Sequence, residues 1–312
     1  MPRFQLDKRL IVAGAARPTV QLALLRRLQG RPRINVYQLQ SVVLGWLVEP
    51  LYWLQRLLYR YPKDMPAPIF VVGLWRSGTT YLHAELTEEL GAATIRNTFS
   101  CSPQTSLLLK PILTRSLPDY PDRFFDWVPL LANGPQELDI AMNRLAADHP
   151  PQGICINERL VDQVRRFISW NATGSFKRKL KRVMGWAWLH DGAPGKPFVH
   201  KAPGFTSRID LLLELWPNAR FVYIERDDEG SVSSVEKAID NFVREFGVTD
   251  YSHDAHHDAV ETRTEVLAQW KNRKASIPAG HLIEVSYQDF INDPKTTVQT
   301  IKNALADGLI SN

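Results

Sequence analysis

The stretch Pro68–Leu82, PIFVVGLWRSGTTYL, is where the reading of this chain turns. Ile69–Val72 is a short apolar run of the kind that forms a buried strand. Gly73 breaks it, four residues follow, and Gly78-Thr79-Thr80 opens a pattern that is helical through Leu90. A strand, a glycine turn and a helix N-terminus make a cradle of backbone N–H groups at the positive end of a helix dipole, which suits an anion. A nucleotide kinase or GTPase carries G-x-x-x-x-G-K-[ST], whose Lys reaches the β- and γ-phosphates. Here Thr79 stands in the Lys position and the cation has moved inside the loop, to Arg76. The loop fits a phosphate-like group and speaks against ATP chemistry.

A second block, Pro197–Asp228, reads PFVHKAPGFTSRIDLLLELWPNARFVYIERDD. Phe198-Val199 is a short apolar strand ending at His200-Lys201, and Pro203-Gly204 turns the chain. Ile209, Leu212, Leu213 and Leu215 supply one apolar helix face before Pro217-Asn218 stops it. Phe221–Ile224 is another buried strand, ending in the charge of Arg226. Strand, helix, strand, helix is the rhythm of parallel β-α-β units. Residues at the C-terminal ends of such strands share one crevice with the loop, which brings Arg76, Lys201 and Arg226 to one site.

These residues resemble a known family. RSGTTYL is similar to the 5′-phosphosulfate loop of the sulfotransferases that use 3′-phosphoadenosine 5′-phosphosulfate (PAPS). The resemblance runs from Ile69 to Leu309 and implies an α/β fold of P-loop type: three layers, with a central parallel sheet flanked by helices. It implies that Arg76, Ser77, Gly78, Thr79, Thr80 and Tyr81 bind the cosubstrate, with Arg76–Thr80 on the 5′-phosphosulfate. In that family an Arg at a strand end and a Ser eight residues later hold the 3′-phosphate, and Arg226 and Ser234 have that spacing. An Arg fork suits bidentate phosphate recognition, and a helix-borne hydroxyl adds one bond. The bland alternative is a surface Arg226 paired with Asp227 or Glu229. Lys201 aligns with the Lys of a K-[DNS]-P segment in the tyrosylprotein-type and bacterial branches. There it contacts the transferred group, where a cation offsets charge developing on the leaving phosphate. The product is then 3′,5′-adenosine bisphosphate (PAP), and no metal is expected, because fixed donors and cations stand in for Mg²⁺.

The general base is less plainly written. An acceptor hydroxyl needs a carboxylate or His within hydrogen-bond reach. Family members carry an acid before a Cys-x-x-Pro-like segment, but here NTFSCSPQT has Ser100 before Cys101. Their P-Q-E-D-E segment corresponds to Pro135-Gln136-Glu137-Leu138-Asp139. Glu137 and Asp139 are two apart, so on a helix they point in different directions. Glu137 is the first candidate, Asp139 the second and His83 the third, with His83 equally readable as a packed histidine.

The rest of the chain bounds the reading. Its 312 residues, 44% hydrophobic and 23% charged, suffice for one large α/β domain. The expected organisation is an N-terminal helical extension over 1–66 and an α/β domain over 67–312. A net charge of +5 fits an anionic cosubstrate and is too modest for nucleic acid. The basic run Lys177–Arg182, with Arg165 and Arg166, reads as a solvated helix face. Cys101 and Cys155 have neither disulfide nor zinc spacing. Met1–Gly30 lacks a signal-peptide core, so a cytoplasmic setting is expected.

Val36–Tyr59, VYQLQSVVLGWLVEPLYWLQRLLY, is apolar, but Glu49, Pro50, Gln55 and Arg56 make it a poor bilayer span. It reads as a broken helical pair roofing the acceptor pocket, or as a monotopic element with Trp46, Trp53 and Tyr59 at a membrane interface. Asp240–His257 is polar and reads as a loop, with His253, His256 and His257 solvated. A helix over Val260–Lys274, a strand in HLIEVSYQDF and a last helix over Thr297–Leu309 complete the series. Lys295 and Lys302 are candidates for a late basic contact to the 3′-phosphate. The resemblance thus implies a PAPS-dependent transfer to a hydroxyl, less readily an amine, of a small-molecule, lipid or carbohydrate acceptor. A nucleotide phosphotransferase and a non-catalytic P-loop relative are the alternatives.

Overall fold

The computed structural model describes residues 16–33, 36–121, 129–226 and 229–310. Its centre is a parallel sheet of β1 (Ile69–Val72), β2 (Val199–Lys201), β3 (Arg220–Glu225) and β4 (Leu282–Ser286), in the order β2-β1-β3-β4. Ile69 lies opposite both Val199 and Arg220, and Phe221 lies opposite Leu282. Side chains alternate across a strand, so Phe70, Val72, Phe221 and Tyr223 share one face and one buried cluster. Ile69, Val71, Val222 and Ile224 share the other. Both faces are covered by helices, which is why IFVV is apolar throughout rather than alternating.

The helices are α1 (Pro18–Arg27), α2 (Val36–Leu47), α3 (Glu49–Leu58), α4 (Thr79–Glu89), α5 (Asn97–Ser100), α6 (Ser106–Ser116) and α7 (Leu138–Leu145). They continue with α8 (Leu160–Ser169), α9 (Gly174–Asp191), α10 (Ile209–Leu215), α11 (Glu229–Phe246), α12 (Ala255–Arg273), α13 (Tyr287–Asn292) and α14 (Pro294–Ile310). One layer is α4 with α13 and α14, through Leu82, Leu86, Phe290 and Ile301. The opposite layer is α9, α10 and α12, through Trp186, Leu212 and Trp270. The chain leaves the sheet after α4, builds α5–α9, and returns as β2 beside β1. β3 then pairs on the other side of β1. Connections diverge there, and the ends of all the strands open on that edge.

The apolar stretch before the sheet is a broken helical pair, α2 and α3, separated at Val48 beside Pro50. Its anchor is local: Tyr52 packs edge-on to Trp186, and the guanidinium of Arg17 lies 3.6 Å from the Tyr52 ring centre. The fully buried Gln55 donates to Pro103 O at 2.8 Å and accepts from Leu107 N at 2.9 Å.

The loop expected over Asp240–His257 is mostly helix. α11 runs on to Phe246, and α12 begins at Ala255, where Asp254 accepts from the His257 N–H at 3.0 Å. Polar residues hid a 3.6-residue stripe, Val235, Ile239, Phe242 and Val243, that packs against α8 and α12 residues. His253 bonds Asn157 O, His256 pairs with Glu236, and no group of three metal-ligating residues occurs among the described residues.

Candidate active site

Gly73 carries the chain out of β1, and the loop closes at Gly78, whose φ of +87° is left-handed. A Cβ at Gly78 would lie 2.9 Å from the Tyr287 ring, so the position requires glycine for both space and conformation. Arg76 is also left-handed, with φ of +71°. For a residue with a Cβ that conformation costs roughly 1–2 kcal/mol, and it aims the Arg76 side chain across the loop. Thr206, in the 3₁₀ turn Pro203–Arg208, holds both backbone groups of Gly73. It accepts from the Gly73 N–H at 2.9 Å and donates to the Gly73 carbonyl at 2.8 Å. α4 starts at Thr79 with no side-chain cap and no acidic residue in its first turn. Its orphan N–H donors and positive dipole end are thus not met by an acidic side chain of its own first turn, an arrangement that suits an anion.

Charged side chains gather on two sides of this loop. On one side Arg76 Nε donates to Ser234 Oγ at 2.9 Å, and Arg226 Nη1 donates to the Arg76 carbonyl at 3.3 Å. The Arg226 guanidinium also lies 4.4 Å from the centre of the Tyr287 ring, a cation–π contact. On the other side Lys201, 3% exposed, donates to Thr80 Oγ1 at 2.7 Å and pairs with Glu137 Oε2 at 2.8 Å. Arg76 thus joins the pair Arg226 and Ser234, whereas Thr80 joins Lys201. Asp227 and Asp228 lie outside the described residues.

The three candidate bases occupy different environments. Glu137, at the N-cap of α7, remains partly exposed and faces Lys201. Gln136 fixes it: its amide donates to Asn97 Oδ1 at 2.7 Å, and its side-chain oxygen accepts from the Glu137 N–H at 3.0 Å. Asp139 points elsewhere and is fully buried. It is hydrogen-bonded to His149 Nε2 at 2.7 Å and accepts from the Gly204 N–H at 2.8 Å. Burial pushes its carboxyl above the usual carboxylate range, against the opposing pull of His149. His83 packs behind the sheet edge, 1% exposed, with Nε2 2.8 Å from Thr94 Oγ1. Burial, reinforced by the charge of Lys201, lowers its pKa to about 3, so the ring is neutral. Lys302 pairs with Glu89, away from this edge.

The sequence model of the sulfotransferase family matches residues 68–306. The chain belongs to that family. It is 25% identical over 256 residues to the omega-hydroxy-beta-dihydromenaquinone-9 sulfotransferase Stf3 of Mycobacterium bovis and to that of Mycobacterium tuberculosis. The match takes in 77% of this chain and 63% of those relatives' length. Its fold is shared with the crystal structure of sulfotransferase STF1 from Mycobacterium tuberculosis H37Rv, with a TM-score of 0.62 and 19% identity over 97% of this chain and 84% of that one. Sulfotransferase STF9 from Mycobacterium avium is similar at a TM-score of 0.58 and 16% identity, over 93% of this chain and 73% of the other. The family pattern thus covers the sheet and both charged clusters.

Sequence reasoning missed the interlock between the two motif blocks. Glu137 on Lys201 and Asp139 on Gly204 let one segment grip the end of β2 at two points. A Cβ at Gly204 would meet Asp139 at 2.8 Å, and that glycine was the one visible signal. Thr206 and Tyr287 carried none, because their partners are distant in sequence; His149 lies only ten residues from Asp139 but in no motif.

Proposed function

We propose that this chain transfers a sulfuryl group from PAPS to an acceptor hydroxyl by in-line displacement. The observation that carries the reading is the division of cations by the loop: Arg76, Arg226 and Ser234 on one side, and Lys201 with Thr80 and Glu137 on the other. A nucleotide with a single phosphate chain has no use for the first cluster. A 3′-phosphate does, and Arg forks are matched to it. This reading moves Arg76 from the 5′-phosphosulfate to the 3′-phosphate, and leaves the loop N–H groups, Thr79 and Thr80 for the 5′ side.

In the reaction the acceptor oxygen attacks sulfur while the bond from sulfur to the bridging 5′-phosphate oxygen breaks. The acceptor proton goes to Glu137, and the bond's electron pair leaves with PAP. Lys201 balances the charge that grows on the leaving phosphate, as a fixed cation in a site with little water. Its ion pair with Glu137 links the two roles. A phosphosulfate that takes up the ammonium releases the carboxylate to act as base. The acceptor proposed is an alcohol of lipid-like or other small-molecule character, in keeping with relatives named for a hydroxylated menaquinone derivative.

Calorimetric titration with PAP, ADP and ATP tests the binding half, and transfer of labelled sulfuryl from PAPS to a panel of phenols, sterols and long-chain alcohols tests the chemistry. Selective PAP binding with turnover supports the proposal; preference for ATP sinks it.

A further inference from the structure

Helices α2 and α3 are amphipathic the wrong way round for a protein surface. In α2 the residues that face the protein are small or polar. A Cβ on Gly45 would collide with Ala16 O, and Gln38 donates to the carbonyls of Phe246 and Gly247 at 3.1 and 3.0 Å. The residues that face outward are apolar: Leu39 is 56% exposed, Val43 49%, Trp46 54% and Leu47 70%. In α3 the polar Gln55 is buried, whereas Trp53, Leu54, Leu57 and Leu58 are exposed. The outward residues, at 39, 43, 46 and 47 in α2 and at 53, 54, 57 and 58 in α3, return every three or four positions, the period of one helix face. Here it covers two consecutive helices and stays exposed among the described residues. Single exposed apolar residues need no explanation, but a contiguous apolar face marks an interaction surface.

Charge indicates the occupant. Residues 16–66 contain eight Arg and Lys against two Asp and Glu. Arg26, Arg31, Arg56, Arg60 and Lys63 are exposed in this segment, before and after the two helices or on them. Arg56 lies 5.1 Å from the Trp53 ring centre, the arrangement of a cation held at headgroup level above an aromatic anchor. The same surplus of positive charge in this segment disfavours self-association through it, because a second copy brings like charges together. The helices have 12 and 10 residues, too short to span a bilayer and suited to lying in its interface. No helix among the described residues is long and apolar enough to cross a membrane.

We propose that the outward faces of α2 and α3 dock this protein in the plane of an anionic lipid bilayer, with the flanking Arg and Lys on the headgroups. Docking is independent of sulfuryl transfer and is read without it. The full chain is sedimented with vesicles of phosphatidylcholine alone and with vesicles containing about 30% phosphatidylglycerol, an anionic lipid. Partition onto the anionic vesicles is expected, weakened about tenfold when salt rises from about 0.1 to 0.5 M. The double variant Leu47→Glu/Leu57→Glu alters two side chains 70% and 74% exposed. It is expected to lower the partition about tenfold or more, with melting temperature and PAP titration unchanged. Three results overturn the proposal: no partition onto anionic vesicles, equal partition onto neutral ones, or partition that the double variant leaves intact. A dimer in analytical ultracentrifugation that the double variant dissolves, with no vesicle binding, assigns the face to a second copy instead.

Discussion

Replacing Glu137 by Gln tests the proposed base most directly, because it keeps the shape and an acceptor oxygen while removing the charge that faces Lys201. The ammonium and carboxylate are 2.8 Å apart, an attraction of about 6 kcal/mol at an effective dielectric constant of about 20. Desolvation offsets most of this, since the two side chains are only 4% and 19% exposed. Lys201 retains Thr80 Oγ1 as a partner, so the net loss of stability is about 1–3 kcal/mol. The effect on chemistry is larger. Loss of a positioned general base lowers turnover about 10²- to 10⁴-fold, or about 3–5 kcal/mol of barrier. The assay is single-turnover sulfuryl transfer from labelled PAPS to the best acceptor of the panel, with PAP affinity measured in parallel. PAP affinity should hold or tighten, because the neutral amide no longer competes for the ammonium. Turnover within about tenfold of wild type would refute Glu137 as base. A loss confined to PAP affinity would instead make the residue a support for Lys201.

Other perturbations separate the remaining roles. Arg226→Ala should weaken PAP binding about ten- to a hundredfold, the worth of a charge-assisted pair, and leave ADP affinity nearly unchanged; equal losses for both nucleotides would remove the 3′-phosphate assignment. Thr206→Val strips both hydrogen bonds from Gly73 and should cost about 1–3 kcal/mol in chemical denaturation; an unmoved midpoint would mean the loop is held elsewhere. Acid should destabilise the fold through three buried neutral histidines: His83, with its pKa near 3, His190, lowered to about 4, and His200, well below its usual value, each chiefly through burial. The unfolded chain binds more protons than the native one below about pH 6.5, so stability is lost as pH falls through that value, by about 1 kcal/mol per histidine between pH 6.5 and 5.5. Asp139, whose raised carboxyl pKa favours the folded state on acidification, offsets part of this. His200 has both ring nitrogens buried without a hydrogen-bond partner, so His200→Phe should keep stability at pH 7 and flatten the pH dependence of the melting temperature. An undiminished slope would show that the other groups dominate.

Within the sheet and loop, sequence and structure coincide because the physics is local. Four apolar residues, a glycine and a helix pattern define β1, the loop and α4 without reference to anything distant, and the same holds for Phe198–Val199 and Phe221–Ile224. A parallel β-α-β series then sends the strand ends to one edge, which is how Arg76, Lys201 and Arg226 could be grouped from spacing alone. α11 was harder to read because its polar residues outnumber the apolar stripe that holds it.

Which side of the loop each cation lies on was decided by tertiary structure. The left-handed backbone at Arg76 turns its side chain to Ser234, 158 residues away, and nothing in RSGTTYL encodes that partner. The choice among Glu137, Asp139 and His83 is of the same kind. All three are ordinary titratable residues in the sequence, and folding buries Asp139 and His83 while leaving Glu137 partly exposed against Lys201. The sequence also determined that Val36–Tyr59 is apolar and interrupted, while leaving open whether it roofs the site or meets a membrane. Only the folded chain shows Gln55 turned inward and Leu57 outward, because which face of a helix is buried depends on what packs against it.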